Sequence, residues 1–220
     1  MSIISGIKGI LYKEFKSEFR SAFNTSSILI FSIISVIIIY LALGELLNEP
    51  KVFSGVYWLI IFFNSMITLP RSFISDEETG VALLIKLNSD SLGVLFGKLI
   101  YNLINNLLIS VIAGLSLWLA SGLFINQIFE FIIVIFLICL SFAIACTLLS
   151  AIIAKSSKRA SLLPILGFPI LIPIIYLGID ASQLAISGLL ENYYDILFLL
   201  IYSAILISIS VILFDFIWED

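Results

Sequence analysis

There is no histidine among the 220 residues. Without imidazole the chain cannot build an HExxH zinc site, a Ser-His-Asp triad or a His-ligated haem of its own. Cysteine is nearly absent as well. Cys139 and Cys146 lie seven apart in one apolar run, which on a helix sets them on one face about 10 Å apart along the axis. That is too far for a disulfide within one straight helix, so both read as small packing residues. Charge is scarce at 12% of residues, and the net charge of −4 includes no basic cluster that would track a phosphate backbone, which excludes nucleic-acid binding. No GxxxxGK[ST] loop occurs, so any ATP used with this chain is bound by a partner.

What the chain has is apolar length. It is 61% hydrophobic, with a mean hydropathy of +1.22, far beyond a soluble domain, where about half the residues are apolar. A span needs about 20 apolar residues. Charge-free runs cover 21–44, 52–70, 99–129, 131–154, 160–179 and 196–214. The 31-residue third run is too short for two spans, and its helix is expected at about Leu99–Ser121. The runs are continuous rather than alternating, which sets aside a β-barrel. The fold class is therefore all-α integral membrane, with six transmembrane helices in one domain over 1–220.

Cations orient the bundle. Lys8, Lys13, Lys16 and Arg20 precede the first span, Arg71, Lys86 and Lys98 follow the second, and Lys155, Lys158 and Arg159 follow the fourth. Only Lys51 falls on the other side, which carries the segments 121–130 and 179–195. Both termini are expected on the cytoplasmic side. The N-terminal segment does not read as a cleavable signal peptide, since its first apolar run is too long and no A-x-A site follows. In residues 1–24, Ile3, Ile7, Ile10, Leu11, Phe15, Phe19 and Phe23 recur at helical spacing with the cations mainly elsewhere. That pattern predicts an amphipathic helix lying in the membrane interface, with a plain basic anchor as the alternative.

Three stretches carry possible chemistry. "RSFISDEETGVALLIKLNSD", residues 71–90, concentrates six charges between two apolar runs. Pro70 ends a helix, Ser75 or Asp76 is a candidate N-cap, and Asp76, Glu77 and Glu78 are expected near the positive end of a short helix. Gly80 punctuates it, and "VALLIKL" is apolar but too short to span. Such a segment suits docking into a groove of another protein or lying on the membrane surface. In "LLPILGFPILIPIIYLG", Pro164, Pro169 and Pro173 each remove a helix hydrogen bond, which predicts either a broken fifth helix or a kinked packing helix. Asn64, Ser65, Asn102, Asn105 and Asn106 fall inside spans, where amides need partners. They are interhelical contacts or substrate contacts. No carboxylate sits mid-span, so a proton relay has no support.

Six helices, an Arg-x-Phe with an acidic, Gly-containing segment after the second, and Leu-Pro-x-x-x-x-Pro-x-x-x-Pro in the fifth resemble the CcmB (haem exporter protein B) family. Ile85 or Lys86 stands where that family's segment has an acid and a leucine. The resemblance implies an ABC-2-type permease that is not itself an enzyme and binds no cofactor, with ATP on a CcmA-like ATPase. That subunit would dock on a cytoplasmic coupling segment, residues 71–97. Arg71, Asp76, Glu77, Glu78 and Gly80 would shape the dock, and Val81, Leu83 and Leu84 would fill a groove. CcmC-like and CcmD-like membrane subunits and a CcmE-like haem chaperone are the further implied partners. The complex would export haem or release the haem-loaded chaperone, in the bacterial inner membrane or its mitochondrial equivalent. The rival readings are an ABC-2 permease exporting a lipid, polysaccharide or drug, and a membrane scaffold that transports nothing.

Overall fold

The computed structural model describes residues 3–21, 23–154, 156, 159–190 and 193–219. Lys155 and Lys158, part of the cation bias, lie outside them. Among the described residues the regular elements are helices: α1 (Ile3–Ser21), α2 (Phe23–Leu43), a 3₁₀ turn (Gly44–Asn48), α3 (Pro50–Thr68), α4 (Arg71–Glu78), α5 (Val81–Asn88), α6 (Ser91–Ser121), α7 (Ile128–Ala154), α8 (Arg159–Ser187) and α9 (Tyr194–Glu219). Six helical stretches are long and apolar enough to cross a membrane, as the runs predict.

α7 is the centre of the bundle. In its most apolar window 72% of residues are buried, against 17% in α2. Its sequence is apolar all round, which suits a helix enclosed by others. Cys139, Ala143, Ala145, Cys146 and Ala151 keep it slim where neighbours approach. It packs against α6, α8 and α9, while α3 packs on α6 and α8, and α2 lies outside α6 and α3. Both cysteines are buried and unpaired. The closest fit is at Gly178, where a Cβ would stand 2.3 Å from Ile138 Cδ1.

α1 is seated on the start of α6. Gly6, Ile10 and Glu14, four residues apart, are its buried stripe. Gly6 meets Gly93 backbone to backbone, and Gly97 leaves room for Ile10. The face turned away carries Ile4, Tyr12 and Phe19 beside Lys8, Lys16 and Arg20, with the Lys16 ammonium 5.4 Å from the Tyr12 ring centre.

Three sequence expectations are corrected. The third long helix begins at Ser91 rather than about Leu99, so the connector shortens from 71–97 to the α4–α5 hairpin. On sequence a charge marks where the helix begins; Lys98 instead lies about two turns inside α6, its charge balanced by Glu14 and Asp76. The fifth helix is not broken, and α8 is continuous through Pro164, Pro169 and Pro173. The rings of Pro169 and Pro173, four residues apart, both lie on its exposed side, and the Tyr202 hydroxyl donates to the Ile170 carbonyl at 2.9 Å, in the turn that Pro173 disturbs. Pro164 lies in the helix, its side chain outside the described part. α8 also runs on to Ser187, because nothing stops it before Gly188, which adopts φ +73 and ends it in the left-handed conformation open to glycine.

Candidate functional site

The α4–α5 hairpin is held at one end of the bundle. Pro70 stands at the N-cap of α4, and Gly80, at φ +72, turns the chain into α5. Asp76, Glu77 and Glu78 therefore close α4 and do not open it, contrary to the expected placement near a positive helix end. Two of these acids face outward, Glu77 half-buried and Glu78 exposed. Asp76 does not: it is buried, and its charge is met by side chains rather than by the helix dipole.

Those partners come from three helices. The Lys98 ammonium, on α6, is wholly buried and lies 2.6 Å from Asp76 Oδ2 and 3.2 Å from Glu14 Oε1. Lys13, on α1, pairs with Asp76 Oδ1 and lies 2.9 Å from Glu14. Two cations thus balance two anions. Burial would lower the Lys13 pKa, but the carboxylates of Glu14 and Asp76 outweigh it and hold the group above its ordinary value. Lys98 also stands 4.1 Å from the centre of the Phe73 ring, a cation–π contact. Phe73 in turn packs edge-on against Phe214 and Trp218 of α9, and Lys86 of α5 sits 5.6 Å over the Trp218 ring. Ser91, opening α6, donates to Asp215 of α9 at 2.5 Å.

Over this base α5 buries Ala82 and Ile85 and half-buries Val81. It exposes Leu83 at 69%, Leu84 at 61% and Leu87 at 82%. These three leucines share one face, since residues three and four apart are neighbours on a helix. The residues singled out from sequence thus divide. Leu83, Leu84, Glu78 and Gly80 reach the surface, Arg71 and Glu77 are half-buried with Arg71 Nε donating to the Ile67 carbonyl at 3.1 Å, Val81 packs inward and Asp76 is internal. Sequence reasoning missed Leu87, although its spacing from Leu83 and Leu84 carried the signal. It also missed Lys13, Glu14 and Lys98 as partners of Asp76. No local signal joins charges from three separate segments.

From Lys98 a polar seam continues along the buried face of α6 in steps of four: Asn102, Asn106 and Ser110. Asn102 Nδ2 donates to Thr147 at 2.8 Å. Asn106 accepts from Ser65 at 2.7 Å and donates to the Cys139 carbonyl at 3.2 Å. The Tyr57 hydroxyl donates to the Ser110 carbonyl at 3.3 Å. Asn64 donates to Ser32 of α2 at 3.0 Å. Asn64, Ser65, Asn102 and Asn106 are therefore interhelical contacts, while the Asn105 amide nitrogen is buried without a partner.

No curated protein and no solved structure matches the chain. The profile of one family, described as CcmB protein, matches residues 6–217. That match takes in the hairpin, the charged cluster beneath it and all six membrane-spanning helices, and on it the chain belongs to the CcmB family.

Proposed function

We propose that this chain is the membrane permease subunit of an ABC complex in cytochrome c maturation, and that its ATPase partner docks on the α4–α5 hairpin. Family membership makes it a multi-pass membrane protein of transport in cytochrome c biogenesis. The observation that carries the docking is the exposed leucine face of α5, held on a charged, buried base. An apolar helix face of this size suits a groove in a partner. Its rim, Glu78 and Thr79, is polar and exposed, as expected around an interface core. The cation bias puts the hairpin and both termini on the cytoplasmic side, where ATP is available. CcmC-like and CcmD-like subunits and a haem chaperone of the CcmE kind complete the complex, and its cargo is haem or the haem-loaded chaperone.

The test is co-purification with the CcmA-like ATPase in mild detergent. Leu84→Asp and Leu87→Asp each put an unpaired charge into an apolar contact, at a cost of several kcal/mol, and about 1.4 kcal/mol is already tenfold in affinity. Both variants should insert normally and lose the ATPase. Glu78→Gln alters only a rim charge and should keep it. A full complement of ATPase on the Leu84→Asp/Leu87→Asp double variant refutes docking at this hairpin.

A further inference from the structure

We propose that Asp76 is a positioning residue: it ties the α4–α5 hairpin to α1 and α6 so that movement imposed on the hairpin is carried into the spans. The inference rests on the docking reading. It goes beyond docking, because Asp76 itself lies on the inside of the hairpin and offers no surface to a partner.

The argument is geometric. α4 and α5 are eight residues each and joined by one glycine turn. α5 runs into α6 two residues after its end and packs Ala82 and Ile85 inward, so a load on its leucines reaches the bundle directly at the start of α6 and, through the turn, by way of α4. α4 packs on the end of α7, and two of its described side chains reach the other helices. Phe73 is wedged between Lys98 and the rings of Phe214 and Trp218, which joins it to α9. Asp76 uses both carboxylate oxygens at once, Oδ2 toward Lys98 on α6 and Oδ1 toward Lys13 on α1. Glu14 closes the ring by meeting both lysines. Three elements distant in sequence are thus held at one carboxylate.

Purely for stability, buried ion pairs are a poor choice. Apolar residues of similar volume serve as well or better. What the charges add is directional stiffness. Contacts between ions in a low-dielectric site are strong and hardly screened by salt, whereas an apolar contact lets surfaces slide. Beyond Lys98, the four-residue steps of Asn102, Asn106 and Ser110 tie the same face of α6 to α3 and α7. A shift of Lys98 is therefore felt along the seam and not only at the helix end. The amphipathic α1 moves with it, since Lys13 and Glu14 share the ring.

The experiment uses the chain reconstituted with its ATPase in nanodiscs, and reads ATPase retention, thermal stability of the permease, and KM and kcat for ATP. Asp76→Asn alone leaves Lys98 buried with half its compensation, so it is expected to lower stability as well as turnover. Asp76→Asn/Lys98→Met separates the two roles. It removes one charge of each sign and leaves Lys13 paired with Glu14, and Met fills the space of the lysine stem. This variant is expected to retain the ATPase with unchanged stability and KM, while kcat falls to that of the ATPase alone. Asp76→Glu keeps the charge and should restore part of the stimulated kcat. Wild-type kcat in the double variant overturns the inference and leaves docking intact. Lost stability in the double variant also overturns it, because the charges would then be structural. A wild-type chain that retains no ATPase overturns the docking reading and this inference with it.

Discussion

Gly97→Ala is a one-carbon change whose sign depends on how closely α1 sits on α6. Two effects compete. Alanine is favoured over glycine inside a helix by about 0.8–1.0 kcal/mol, so an unobstructed substitution stabilises. At Gly97, however, the new Cβ would stand 2.8 Å from Ile10 Cβ and 2.9 Å from Ile10 Cγ2. Ile10 cannot swing aside: its Cβ is fixed to the backbone, its χ1 is stiff in a helix, and it is buried. The whole of α1 must shift, and overpacking of this kind costs about 1–3 kcal/mol. Gly9→Ala is the control. It lies on α1 itself, exposed, with nothing within 4 Å of its added Cβ. The propensity gain is common to both variants and cancels between them. The remaining difference, about 1–3 kcal/mol, is the packing term alone. Thermal unfolding in detergent should rank Gly9→Ala at or above the wild type and Gly97→Ala below Gly9→Ala. Equal midpoints for the two variants would refute the close seating of α1, and with it the contact that brings Lys13 and Glu14 to Asp76.

Asn106→Leu removes the link between Ser65 and the Cys139 carbonyl and should cost about 0.6–1.7 kcal/mol, the range for interhelical hydrogen bonds in membranes. Asn105→Leu, losing an amide nitrogen that has no partner, should be neutral or stabilising by the same unfolding assay; the reverse order would contradict the seam. For Lys13, whose pKa is raised above 10.5 in the folded chain, the ion-pair contribution is complete below the unfolded value and disappears only as pH climbs through the higher folded value. Stability referred to Lys13→Met should therefore be flat from neutral pH to 10.5 and decline beyond it, and a decline centred below that point would refute the pairing. A cysteine at the highly exposed Phe124 should be labelled by an impermeant thiol reagent from outside intact cells, and one at Glu78 should not; the buried Cys139 and Cys146 keep the background low.

The spans were legible because the bilayer imposes one strong rule, about 20 apolar residues at 1.5 Å each, and every run that met it became a helix. Ends were less legible, for two opposite reasons. Lys98 looked like a boundary, but it is an internal residue of α6 whose counter-charges arrive from α1 and α4. Three prolines looked like a break, but a helix supported on its packed face bends or loosens a turn and continues. The asparagines were readable as interhelical contacts, since an amide inside a span has few other uses, yet which helix each would reach was not.

The docking stretch shows where one-dimensional reading fails. Asp76, Glu77 and Glu78 are consecutive acids, and by composition they are equivalent. On a helix they point 100° apart, so one is buried, one half-buried and one exposed. Which of the three turns inward is decided by Phe73, three residues before Asp76. Phe73 enters the aromatic group of α9 and so fixes the rotation of α4. With that rotation set, Asp76 lands over Lys98, and without Lys98 the two buried carboxylates of Asp76 and Glu14 would share the single charge of Lys13, leaving one anion in excess at a site where unbalanced charge is costly. The same rotation, passed through the Gly80 turn, leaves Leu83, Leu84 and Leu87 outward and Ala82 and Ile85 inward. The buried charge ring and the exposed leucine face are therefore not independent features. Both follow from how one short helix is turned, and a change that re-aims α4 must disturb the two together.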